Sequence, residues 1–296
     1  MLARVTPWFS SPADAARRLG ETGYLADDAT ATTVYLASVL EKPLLIEGPA
    51  GVGKTELAKA VALVTSADLV RLQCYEGLDE ARALYEWNYK KQLLRIQAGA
   101  ADGSGQAWEE AHDDIFSEEF LLTRPLLTAI RREDPTVLLV DEVDKTDVEV
   151  EGLLLEVLSD FQVTIPELGT ISAVRRPFVV LTSNATRELS EALKRRCLYL
   201  HLDYPDIERE RAIVLAQVPE LDEALAGQLV AMVARLRDLE LKKAPSIAES
   251  VDWARTLIAM ETGTLDEERV RQTLGVVLKH ASDQQRAIRE LKLARH

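Results

Sequence analysis

The eight residues Gly48-Pro49-Ala50-Gly51-Val52-Gly53-Lys54-Thr55 have the types and spacing, G-x-x-x-x-G-K-[ST], that hold a polyphosphate. Glycines let phosphate oxygens approach the backbone closely. The backbone N–H groups of such a turn, and the positive end of a helix that follows it, converge on one anion. In this pattern Lys54 reaches the β- and γ-phosphates and Thr55 offers its hydroxyl to Mg²⁺. At average glycine usage of about 7%, the four fixed positions arise by chance in about one chain in a hundred of this length.

Three further groups of residues bear on the same chemistry. Val137-Leu138-Leu139-Val140 runs straight into Asp141-Glu142. An acid at that point holds Mg²⁺ through water, because the ion sheds its hydration reluctantly. The second acid orients or deprotonates the water that attacks the γ-phosphate. Phe178-Val179-Val180-Leu181-Thr182 runs into Ser183-Asn184, whose amide is placed to hydrogen-bond the γ-phosphate or that water, although Asn also favours turns. Leu193-Lys194-Arg195-Arg196-Cys197 closes a helical pattern with two arginines. Helix-dipole stabilisation explains one of them. The other suits a finger reaching into a neighbouring subunit's nucleotide.

The elements that must position these residues are legible as alternation. Five short apolar runs read as buried parallel strands: Leu44 to Glu47, Leu69 to Cys74, Val137 to Val140, Phe178 to Thr182 and Leu198 to Leu202. Helical spacing separates them over Glu56 to Thr65, Glu80 to Gln97, Ala107 to Ile115, Phe120 to Arg132 and Glu149 to Phe161. The pattern implies a parallel sheet with helices on both faces and a ligand at the carboxyl ends of the strands. Beyond Tyr204-Pro205-Asp206 no strand pattern remains. Glu208 to Gln217, Asp222 to Leu241, Ile247 to Glu261 and Asp266 to Leu293 read as helices, with Asp222 and Asp266 as caps. The expected division is therefore an α/β domain over 1–204 and a smaller all-helical domain over 205–296.

Composition narrows the setting. Hydrophobic residues make up 47% of the 296, enough for a large core. No apolar run approaches the roughly 18 residues that span a bilayer, and Met1 to Pro7 lacks the stretch of a secretory signal. Cys74 and Cys197 are too few for a disulfide framework and read as small buried hydrophobes. These features suit a reducing, cytoplasmic setting. A formal net charge of −14 disfavours nucleic acid as the partner, because phosphate neutralisation dominates such binding, and favours a protein.

The four blocks, in this order and followed by helices, resemble the AAA+ ATPases. GPAGVGKT is similar to Walker A, VLLVDE to Walker B, LTSN to the sensor-1 segment and LKRRC to the arginine-finger segment. The blocks GYLADDATATTVYLASVLEKPLLIEGPAGVGKTELAKA and RLQCYEGLDEARALYEWNYKKQLLRIQ resemble the MoxR-type branch, and within it the CoxD-like members associated with carbon monoxide dehydrogenase maturation. The resemblance implies a P-loop AAA+ sheet domain with a helical lid, ATP and Mg²⁺ as ligands, and a homo-oligomeric, typically hexameric ring. It further implies chaperone-like work on a metal-cofactor enzyme and a von Willebrand factor A-domain partner. It assigns nucleotide contacts to Gly48 through Thr55 and Glu56, with Tyr24 and Leu25 as walls for the base. Metal contacts fall to Thr55 and Asp141, and catalytic roles to Lys54, Glu142, Asn184 and an arginine. Arg196 is favoured over Arg195 because it immediately precedes the last strand.

The branch also carries insertions, expected here over about 76–119, with its ADGSGQ loop, and as a hairpin over about 161–175 that turns at Pro166-Glu167-Leu168-Gly169. These would contact client or partner, or merely decorate the surface. One departure stands out. Where a sensor-2 Arg is usual, Pro245-Ser246-Ile247-Ala248-Glu249 has Ala248, and Arg255 lies two turns further along. Two other classes share the phosphate turn. A phosphotransferase needs an acceptor pocket, and a nucleic-acid motor should be stimulated by DNA.

Overall fold

The computed structural model describes residues 8–101 and 115–293. The elements in chain order are α1 (Pro12–Gly20), α2 (Asp28–Leu40), β1 (Leu44–Glu47), α3 (Lys54–Thr65), β2 (Asp68–Gln73), α4 (Glu80–Ala83), β3 (Tyr85–Trp87), α5 (Tyr89–Ala101), β4 (Leu121–Thr123), α6 (Pro125–Arg131), β5 (Thr136–Asp141) and α7 (Val148–Asp160). They continue with β6 (Gln162–Ile165), β7 (Gly169–Ser172), β8 (Phe178–Ser183), α8 (Glu191–Arg196), β9 (Leu198–His201), α9 (Ile207–Gln217), α10 (Glu223–Arg237), α11 (Ile247–Ala259), α12 (Glu267–Val277) and α13 (Ala281–Glu290).

The five strands read from apolar runs form one sheet in the order β2-β5-β8-β1-β9. Parallel pairing sets Gln73 beside Asp141, Val140 beside Leu181 and Glu47 beside Ser183, so the carboxyl ends of these strands share one rim. Position in the sheet explains the sequences. β5 and β8 lie inside, are buried at every residue and are apolar except at the end residues Thr136, Asp141, Thr182 and Ser183. β2 lies at an edge, is mostly exposed and tolerates Arg71 and Gln73.

The chain divides into two compact units. The first holds residues 1–16, 27–47 and 58–200, with one core built on Leu138, Val140, Val179 and Leu181 of the sheet and Leu126, Ile130, Leu154 and Leu158 of its helices. The second holds residues 17–26, 48–57 and 201–296; its helices close around Trp253, Leu229, Val233 and Leu274. The indole N–H of Trp253 donates to Thr273 Oγ1 at 2.7 Å, which satisfies its one polar atom in that core. Asp222 and Asp266 cap α10 and α12 as the sequence indicates. The glycine-rich turn therefore groups with the helices, while β1, which precedes it in the chain, belongs to the sheet unit.

Three helices expected from periodicity are broken. Glu80 to Gln97 is α4, then β3, then α5, because Trp87 is buried against Phe116 (ring centroids 5.2 Å apart) and β3 pairs with β4. Aromatic packing on a pleated surface wins over helical spacing there. Phe120 to Arg132 begins as β4, and its helix starts only at Pro125, which has no N–H to give and suits a first helical position. Asp266 to Leu293 splits into α12 and α13 where Leu278 turns extended. The hairpin is present as β6 and β7, with Gly169 at φ +79°. All of the ADGSGQ loop after Ala101, and nearly all of Ala107 to Ile115, lie outside the described residues. No helix among the described residues is long and apolar enough to cross a membrane.

Candidate nucleotide site

In the helical unit, the turn from Gly48 to Gly53 leads directly into α3 at Lys54. The first N–H groups of that helix have no intrahelical acceptor, and its dipole adds positive charge at the same end. Lys54 is buried, and its ammonium donates to the Gly48 and Pro49 carbonyls at 2.7 Å each. Two glycines are required by their surroundings. Gly48 sits at φ +154°, where a Cβ would lie 1.9 Å from the Leu202 carbonyl oxygen. Gly51 sits at φ +77°, where a Cβ would lie 2.2 Å from Ser246 Oγ. Val52 is buried, Thr55 half-buried, and Ala50 and Glu56 exposed.

Replacing Gly48 by Ala should therefore deform the turn, since the nearest atom is backbone and cannot swing aside. We expect a melting point lower by several degrees, equivalent to about 2 kcal/mol, and nucleotide affinity reduced at least about tenfold. Calorimetry and a nucleotide titration check both.

Tyr24 lies at the same turn; a Cβ on Gly53 would stand 3.6 Å from the edge of its ring. Leu25 gives its carbonyl to Arg209 of α9 at 3.0 Å. Ser246 begins α11 with a capping box, its N–H and hydroxyl both directed to Glu249. The S-x-x-E signal was legible in the sequence, but its position against Gly51 was not. Ala248 is exposed, and Arg255 pairs with Asp252 at 3.7 Å.

In the sheet unit, β5 delivers Asp141 and Glu142 to the rim. Asp141 is buried; its Oδ2 accepts from Arg71 at 2.6 Å and its Oδ1 from the Thr182 hydroxyl at 2.5 Å. Glu142 adopts a left-handed backbone (φ +59°, ψ +48°), which costs a non-glycine residue about 1–3 kcal/mol. Its N–H donates to Thr182 Oγ1 at 2.9 Å. One hydroxyl thus orders both acids. The Glu142 carboxylate accepts from Gln73 (2.9 Å) and Lys145 (2.7 Å) on Oε2, and from Asn184 Nδ2 on Oε1 at a long 3.4 Å. Nearness to Glu142 raises the Lys145 ammonium above its usual value. Asn184 thus meets Glu142, as does Gln73, which sequence reasoning passed over.

Arg195 and Arg196 are exposed at the C-terminal end of α8. Cys74 and Cys197 are buried thiols, each pushed up to about 12 by loss of solvation first, and they act as core.

The donor sets fit the ligands. Closed backbone around a buried lysine, with no room for side chains at two glycines, matches a polyphosphate. Asp141 in the sheet unit and Thr55 in the helical unit each offer a hard oxygen, the ligand type that Mg²⁺ takes.

A family model for the AAA domain of the dynein-related subfamily matches residues 43–197, a little over half of the chain. The chain belongs to the AAA family. The matched stretch contains the glycine-rich turn and the strand that ends in Asp141, so in family and fold the chain is of the P-loop ATPase kind. An uncharacterized protein of Staphylococcus epidermidis is 25% identical over 86% of this chain and 91% of its own length. The chaperone protein ClpB of Pseudomonas putida is 29% identical over 73% of this chain but only 24% of its own length. Among solved structures, a RuvB point mutant of Thermotoga maritima superposes with a TM-score of 0.50 at 16% identity, covering 98% of this chain and 81% of that one. That likeness concerns the fold: a five-stranded parallel sheet flanked by helices and followed by a helical region.

Proposed function

We propose that this AAA protein is a Mg²⁺-dependent ATPase that remodels a client protein. The observation that carries the reading is the ordered acid pair at the end of β5, with Glu142 pinned in a left-handed backbone and its Oε1 only weakly engaged. A strained residue held this firmly is what a reacting group requires.

In this reading Lys54 and the amides of Gly48 to Thr55 bind the β- and γ-phosphates, with Glu56 the next contact along α3. Tyr24 and Leu25 flank the base. Thr55 and Asp141 hold Mg²⁺, which when bound neutralises charge on the phosphates. Glu142 takes the proton of the attacking water on Oε1, the oxygen with the longer hydrogen bond. Oε2 stays anchored by Gln73 and Lys145. Asn184 orients the same water from the end of β8. Arg196, or else Arg195, reaches the nucleotide of the next subunit in a homo-oligomeric ring and stabilises charge developing on the γ-phosphoryl group.

The two-domain division at about residue 204, with the helices as a lid, belongs to the same proposal. So do the MoxR-type and CoxD-like placement, a hexameric ring, a cytoplasmic setting, a von Willebrand factor A-domain partner and a metalloenzyme client such as carbon monoxide dehydrogenase. Support for a protein client comes from the similarity to a Clp chaperone, from the acidic net charge, and from α5, which exposes Tyr89, Leu93, Leu94 and Ile96.

The test is phosphate release from ATP and Mg²⁺ with no small-molecule acceptor, alongside the assembly state with and without nucleotide. Release and a nucleotide-dependent ring are expected. Transfer to an added acceptor without free phosphate would establish a phosphotransferase instead, and stimulation by DNA a nucleic-acid motor.

A further inference from the structure

Two buried carboxylates in the sheet unit lie outside the reacting set. Asp144 and Glu151 are 3% and 2% exposed, and a carboxylate is rarely that buried unless it is fully bonded. Both spend their oxygens on the single segment that joins Asn184 to α8. Asp144 accepts from the Asn184 N–H (3.2 Å) on Oδ1, and from the Thr186 N–H (3.0 Å) and hydroxyl (2.5 Å) on Oδ2. Glu151 accepts from Arg187 on Oε1 and from the Ser190 N–H on Oε2 at 2.9 Å. Arg187 also donates to the Thr146 carbonyl at 2.8 Å. Ser190 in turn caps α8, accepting from the Leu193 N–H at 3.3 Å.

The residue between the two amides held by Asp144 is Ala185, at φ +55°. A left-handed alanine persists only where its neighbours over-determine it, and here Asp144 grips the residue on either side. The aim of Asn184 therefore depends on a carboxylate two residues after Glu142. Burial raises the carboxyls of Asp144 and Glu151. Hydrogen bonds from Thr186 and Asn184 to the first, and from Ser190 and Arg187 to the second, outweigh it and leave both below their usual values. Each is thus held as the charged acceptor these contacts need.

We propose that Asp144 and Glu151 are positioning residues for ATP hydrolysis, tying the segment from Asn184 to the Arg195–Arg196 helix to the turn that bears Glu142. This inference rests on the ATPase reading above. Asp144 sets Asn184 against Glu142, and Glu151 sets the start of α8 and hence the direction in which its terminal arginines project.

The test compares the full-length parent with Asp144→Asn, Glu151→Gln and Thr186→Val. Phosphate release and the Kd for a slowly hydrolysed ATP analogue are measured well below every variant's melting point, and amide hydrogen exchange is followed over 183–191. We expect kcat to fall about tenfold or more in the two carboxamide variants and about threefold in Thr186→Val, with Kd unchanged within about twofold. Faster exchange should be confined to Asn184 and Thr186 for Asp144→Asn, and to Ser190 for Glu151→Gln. Thr186→Val, which keeps Asp144, carries the test should Asp144→Asn not fold. A lowered melting point with kcat unchanged in the folded range would mean a structural role only and overturn the proposal. Absence of phosphate release from the parent would overturn this inference together with the ATPase reading. An active parent with equally active variants overturns this inference alone.

Discussion

Replacing Glu142 by Gln is expected to leave ATP affinity within about threefold of the parent and to lower turnover about a hundredfold or more. The change keeps the shape of the side chain. Thr182 still receives the backbone N–H, because that bond does not involve the carboxylate. Asp141, the acid proposed to hold the metal, is untouched and keeps Arg71 and Thr182. What disappears is the carboxylate proposed to take the proton. Phosphate release and a nucleotide titration on the same preparation separate the two effects. Turnover within about threefold of the parent would remove Glu142 from the role of base.

Replacing Arg196 by Ala is expected to leave nucleotide binding intact and to cost about a thousandfold in turnover, the lower end of what an arginine finger supplies. Its side chain is exposed at the end of α8, so its removal leaves no hole in the core. Arg195→Ala, which removes only a favourable charge at a helix C-terminus, should stay within about threefold. Mixing separates action between subunits from action within one. Lys54→Ala subunits lack the ammonium for phosphate but keep their arginines, so adding them to Arg196→Ala subunits should restore part of the turnover. No recovery in mixed assemblies would place the arginine in its own subunit's site or outside the reaction.

The sheet was legible because its strands are short, nearly continuous apolar runs, as burial on both faces demands, and all five expected strands pair as one sheet. The glycine turn was legible for a different reason: its spacing is dictated by the anion, not by the rest of the chain. Failures fell where side-chain packing overrides local periodicity, as at Trp87, or where one substitution of conformation splits a long helix, as at Leu278. The supporting polar residues were the least legible. Gln73 and Arg71 sit on an edge strand, and only the register with Asp141 makes them neighbours of the acid pair. Asp144 lies outside the helical patterns read from the sequence and Glu151 reads as an ordinary acid within one, yet both are buried and accept hydrogen bonds from residues some 40 positions away.

The walls of the glycine turn come from far along the chain. The Leu202 carbonyl closes on Gly48 and the Ser246 hydroxyl on Gly51, while the matched AAA domain spans residues 43–197. A fragment cut to that stretch would keep the phosphate-turn motif and still lack the two groups against which Gly48 and Gly51 pack. In this molecule an intact motif and an intact cradle are separate properties, and the second is inherited in part from Leu202 and Ser246, both beyond the matched stretch.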